Sequence, residues 1–168
     1  MANRPPKTER VFFALWPDDA LRGALHALAQ GWRAHCGGRV TRRENLHLTL
    51  VFIGNVDPQQ LAVLRDLAAR QVVHPFDLEL NAGRYFKRNR IVSAQPTAAP
   101  AVLRDMVAGL AQSLRVSGVP FDATLCAACE FAARRGARAG AGDRAAAGVA
   151  RRSVVSRLFA TGRDWRHL

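Results

Sequence analysis

Two residues in this chain have types and a spacing that suit proton chemistry. His47 and Thr49 interrupt a run, residues 45–52, that is otherwise mostly apolar or aromatic. Such a run reads as a β-strand. Side chains alternate across a strand, so an imidazole and a hydroxyl two apart point to one face, with Val51 and Ile53 beyond them. Leu46, Leu48, Leu50 and Phe52 are expected on the other face. An imidazole can deliver a proton to a substrate oxygen, and a hydroxyl beside it can hydrogen-bond the neighbouring oxygen.

Elements that could position this pair lie on both sides of it. Residues 10–16 form an apolar strand candidate ended by Pro17. Asp18 or Asp19 can cap a helix through about Cys36, with Leu21, Leu25, Leu28 and Trp32 at helical spacing and Gly37-Gly38 as its stop. After the central strand, Gly54-Asn55 makes a turn. Pro58 opens a second helix striped by Leu61, Leu64 and Leu67.

Residues 76–80 alternate strictly and read as a strand with one wet face. Residues 83–90 form a basic hairpin-like connection holding Tyr85, Phe86, Lys87, Arg88 and Arg90, and residues 91–94 resume as a strand. A third helix is expected from about Ala98 to Leu114, on Leu103, Met106, Val107 and Leu110. The order β-α-β-α-β-β-α predicts an α+β fold with largely antiparallel sheets. No glycine-rich phosphate loop follows a strand, which disfavours the nucleotide-binding doubly wound folds.

The chain has 168 residues, enough to bury a real core, and 49% of them are hydrophobic. No apolar run reaches membrane-spanning length, and residues 1–10 do not resemble a secretory signal, so a soluble cytoplasmic protein is expected. Three cysteines, Cys36, Cys126 and Cys129, are too few and too scattered for a disulfide framework. The net charge of +12 favours a polyanionic partner, nucleic acid first.

Half of that charge sits in residues 123–168, where the composition changes. From Ala132 to Arg152, 19 of 21 residues are Ala, Arg or Gly. The segment reads as a basic RNA-binding arm, as a solvated tail, or as a stretch translated out of frame, since all three residues have GC-rich codons. Cys126-x-x-Cys129 lacks the further ligands a zinc site needs, so no metal or other cofactor is expected.

Several pieces together resemble the 2H phosphoesterase superfamily, and most of all the bacterial RNA 2′,3′-cyclic phosphodiesterases, also called 2′-5′ RNA ligases. They are Val11-Phe12-Phe13-Ala14-Leu15-Trp16-Pro17, then Glu44-Asn45-Leu46-His47-Leu48-Thr49-Leu50 with Phe52 and Gly54, and finally Gly118-Val119-Pro120-Phe121. The resemblance covers residues 9–122. It implies a two-lobed, pseudo-symmetric α+β fold with antiparallel sheets lining a central cleft and helices outside. It also implies two His-x-Thr/Ser-x motifs facing each other, acting without metal on RNA with 2′,3′-cyclic phosphate ends, in a monomer. His47 would protonate the leaving ribose oxygen and Thr49 would bind the oxyanion. Tyr85, Phe86, Lys87, Arg88 and Arg90 would hold the RNA strand, with Arg42 and Arg43 steering it.

The second motif is expected shortly after Phe121 and is absent. Residues 124–132 stand there instead, with no His before His167. Back-translated and shifted forward by one base, the codons of residues 127–132 can read Pro-His-Val-(Asn/Ser)-Leu. On this reading residues 1–122 are the phosphoesterase-like region, residues 123–168 are an aberrant tail, and the second lobe is incomplete. Without its second His the enzyme would be weak or inactive as written. The alternative is a non-catalytic basic RNA-binding module.

Overall fold

The computed structural model describes residues 8–72, 76–86, 91–122, 128–130, 150–153 and 159–161. Its strands are β1 (Glu9–Leu15), β2 (Leu48–Val56), β3 (Asp77–Leu80), β4 (Ala82–Phe86), β5 (Ile91–Gln95), β6 (Ala128–Glu130), β7 (Ala150–Ser153) and β8 (Phe159–Thr161). The helices are α1 (Asp19–Cys36), α2 (Pro58–Arg70) and α3 (Ala101–Val116). The fold is α+β, and every described strand pair is antiparallel. One sheet runs β4-β5-β6-β2-β1-β8, and β3 pairs with β7 beside it. The two halves of the chain thus meet through β6, which lies between β2 and β5.

The helices form where the sequence supplies both caps and apolar stripes. Asp18 accepts a hydrogen bond from the Leu21 N–H at 2.7 Å, and Gly37 (φ 69°) ends α1. Asp57 and Gln60 make a capping box around Pro58 at the start of α2. α3 begins three residues later than the periodicity suggests, because Pro100 is its N-cap. Leu21, Leu25, Ala29 and Trp32 of α1, Leu61 and Leu64 of α2, and Leu103, Leu110 and Leu114 of α3 share one core. Val11, Phe13, Leu15, Leu48, Leu50, Val92 and Ala94 of the sheet complete it. The alternate residues of β1, Phe12 and Ala14, pack separately with Trp16 and Phe52. The main core therefore lies on one side of the sheet and this second cluster on the other.

Four expectations need correction, the first being the turn at Gly54-Asn55, since β2 runs through both residues to Val56 and pairs them with Val11 and Arg10. The central strand does not begin at Asn45. Residues 43–45 form a 3₁₀ turn, and β2 starts at Leu48, so His47 is held just ahead of the strand. Nor is the alternation along β2 regular. Phe13 pairs with Val51 but Ala14 pairs with Thr49, leaving Leu50 as an extra residue; a second shift leaves out Ile53. Each bulge reverses the phase. Val51 and Ile53 therefore turn to the main core, and Phe52 joins the Phe12 side, the reverse of the alternation reading. Finally, the first part of the expected 83–90 connection is itself a strand, since β4 pairs with β5 from Ala82↔Gln95 to Phe86↔Ile91. Hydrogen bonding to β5 overrides what Gly83 and the basic residues suggested locally.

Candidate active site

The 3₁₀ turn ends in Asn45, and its carbonyl fixes the ring of His47. The His47 Nδ1–H donates to Asn45 O at 2.7 Å. A carbonyl can only accept, so Nδ1 carries a hydrogen and Nε2 is the nitrogen that takes up or gives a proton. The ring is only 4% exposed. It stacks on Phe12 (centroids 4.9 Å apart, planes at 29°) and on Trp16 (5.3 Å, 25°). Two aromatic faces and one hydrogen bond leave the imidazole little rotational freedom.

Thr49 follows on β2, 7% exposed and paired with Ala14 of β1. Ala14 and Phe12 share a face, so Thr49 stands on the same side of the sheet as the rings around His47. The backbone of Ala128 pairs with Thr49 from the other side. Register extends this face in two directions. Toward β1 it carries Phe52, with the Arg10 guanidinium 4.7 Å above its ring. Toward β4 and β5 it carries Ser93, paired with Arg84, and Phe86, paired with Ile91. The Arg84 guanidinium lies 5.0 Å over the Phe86 ring. Ser93 is fully buried, and its Oγ has no hydrogen-bond partner among the described residues.

The residues expected to meet substrate are dispersed. Phe86 is on the His47–Thr49 side of the sheet. Tyr85 is on the opposite side and packs against the main core. Arg42 is exposed at the start of the 3₁₀ turn. Arg43 is exposed too, but it donates to the Asp19 carbonyl and lies against Gly23, so it ties the turn to α1. Lys87, Arg88 and Arg90 lie outside the described residues, as do Cys126 and most of residues 123–168. The residues that sequence reading missed are Phe12, Trp16, Arg10, Arg84 and Ser93. Alternation along residues 10–16, anchored on one known face, would have flagged the first three. Among the described residues no three His, Cys, Asp or Glu side chains converge.

The stretch that carries the tethered imidazole and the neighbouring hydroxyl is also where a known family matches: the family described as "LigT like Phosphoesterase" matches residues 15–93. Particular relatives are more distant. An RNA 2′,3′-cyclic phosphodiesterase of Archaeoglobus fulgidus is 29% identical over 69 residues, 41% of this chain and 39% of the relative's own length. The crystal structure of E. coli LigT complexed with 3′-AMP matches 92% of this chain and 84% of that one, with TM-score 0.63 and 23% identity. A structure from Thermus thermophilus matches 91% and 84%, with TM-score 0.63 and 21% identity. These two likenesses are of fold. Among the described residues, no helix is long and apolar enough to cross a membrane.

Proposed function

We propose that this chain descends from RNA 2′,3′-cyclic phosphodiesterases and carries half of their catalytic apparatus. The observation behind this reading is the Nδ1–H tether of His47 to Asn45, which commits Nε2 to proton transfer on the face that bears Thr49. In the reaction, water oxygen bonds to phosphorus and releases a proton to solvent, no second His being there to take it, while the bond from phosphorus to the ribose 3′ oxygen breaks. His47 Nε2–H protonates that oxygen, giving a 2′-phosphomonoester and a free 3′ hydroxyl. The Thr49 hydroxyl binds a phosphoryl oxygen where negative charge builds up. Run in the same direction with a ribose 5′ hydroxyl in place of water, the same steps join RNA ends through a 2′-5′ phosphodiester. Phe86, with Arg84 over it, suits a base and its phosphate on one flank. Arg42, exposed at the start of the 3₁₀ turn that leads to His47, supplies charge for the RNA strand.

The test is product analysis by mass spectrometry on an oligoribonucleotide ending in a 2′,3′-cyclic phosphate. Replacing His47 by Ala is expected to lower the rate by about 10²–10⁴-fold, the usual worth of one general acid or base. An unchanged rate would sink the assignment.

A second reading is favoured by one observation: the residue in register with Thr49 is Ala128, not a His. On that reading the chain is a basic module that binds RNA and does not turn it over. Binding that weakens with salt, together with no product from the wild-type chain, is its signature.

A further inference from the structure

Gln95 ends β5 on the face that carries Thr49, and the proton-transfer scheme does not use it. Its place follows from β6. Cys129 is paired with Leu48 on one side and with Ala94 on the other. The residues that follow these two, Thr49 and Gln95, are therefore level with each other across residue 128. Leu48 and Ala94 belong to the main core, so alternation puts Thr49 and Gln95 on the opposite face. Two strand spacings separate them, roughly 10 Å.

Of the β5 residues on this face, Ile91 is apolar and Ser93 is fully buried. That leaves Gln95, half-buried, as the polar group presented there. Its carboxamide has no hydrogen-bond partner among the described residues. Its backbone is pinned. The Asn81 N–H donates to the Gln95 carbonyl at 3.1 Å, and the Asn81 Oδ1 accepts from the Thr97 N–H at 2.8 Å, with Pro96 between.

We propose that Gln95 is a nucleobase-selecting residue: with a phosphate at His47 and Thr49, its carboxamide reads the base edge of that same nucleotide. A carboxamide offers a donor and an acceptor side by side, and adenine is the base it suits best, through N6 and N7. The pinned strand end keeps the group in place, which lowers the ordering cost of binding. Phe86 is at the other end of the β4–β5 ladder and meets a different nucleotide. The selection rests on the RNA reading given above, and it makes RNA ends that carry adenine the preferred ligand.

Binding, which needs no second catalytic His, tests this on the full chain. The probes are the 2′-monophosphates of adenosine, guanosine, cytidine and uridine, with inorganic phosphate beside them, titrated against wild type, Gln95→Leu and Gln95→Glu. Circular dichroism checks each fold. Gln95→Glu keeps the shape and removes the donor for N7, so it keeps a test in hand if Gln95→Leu unfolds.

Wild type is expected to bind the adenosine nucleotide about 5–150-fold more tightly than the uridine nucleotide, the worth of one bidentate pair. Both variants should bring that ratio to about one. A base preference that survives in a folded variant overturns the selection. So does a loss on inorganic phosphate as large as on the adenosine nucleotide, which would mean that Gln95 acts on the phosphate. If wild type binds all four nucleotides alike, only the selection falls. If it binds none, the RNA reading falls with it.

Discussion

At the scale of single residues, the arrangement around His47 determines which nitrogen can act. The Asn45 carbonyl takes the Nδ1 hydrogen at 2.7 Å, and the rings of Phe12 and Trp16 lie under the imidazole. Neutral His47 is therefore expected as the Nδ1–H tautomer, which long-range ¹⁵N–¹H correlation spectra of the folded chain report directly. An Nε2–H tautomer at high pH would mean that the Asn45 bond is absent in solution, and the proton-transfer role would lose its geometric basis. The pair of His47 and Thr49 was readable from two polar residues in an apolar run. The rings that hold His47 were not, because residues 10–16 contain no polar residue in the apolar stretch after Arg10 to mark which side of that strand faces which layer.

At the scale of elements, the readable parts are those whose residues act locally. Asp18 and Asp57 cap helices, Pro58 sits in a first turn, and the leucines of α1, α2 and α3 keep helical spacing. Replacing Asp57 by Ala removes its hydrogen bond to the Gln60 N–H (2.8 Å) and with it the capping box. Urea unfolding should register a loss of about 0.5–2 kcal/mol. What alternation could not supply is the bulge at Leu50, because a bulge is set by pairing with β1 and leaves no mark in the strand's own sequence. The second bulge leads into Gly54, at φ 100°, and a Cβ there would meet no atom of the described residues within 4 Å. Any cost of Gly54→Ala is therefore backbone strain alone, about 1–3 kcal/mol. A thermal melt showing no loss would mean that the strand relaxes away from this conformation.

At the scale of the whole molecule, the question is what β6 brings to the face that carries Thr49. In an antiparallel pair, residues directly opposite each other project to the same side of the sheet. The backbone of Ala128 is opposite Thr49, and Cys129 is opposite Leu48. Residue 128 is also where the codons, read one base forward, allow His, and residue 130 is where they allow Ser. A His at 128 and a Ser at 130, which the shifted codons allow, would on this register stand next to His-x-Thr, the two-motif arrangement that the resemblance implies.

The double substitution Ala128→His and Glu130→Ser should therefore supply the missing base and its hydroxyl partner. Against a 2′,3′-cyclic phosphate oligoribonucleotide, the expected gain over the chain as written is about 10²–10⁴-fold. Adding His47→Ala to the double variant should abolish the gain. A double variant that keeps its circular dichroism and its RNA affinity but gains no turnover would mean that β6 does not hold residue 128 beside Thr49 during the reaction. Sequencing the coding DNA separates the two origins of the tail: an open plus-one frame from about Ala123 makes the second lobe recoverable by one base, whereas stop codons in that frame make residues 123–168 the chain's own end.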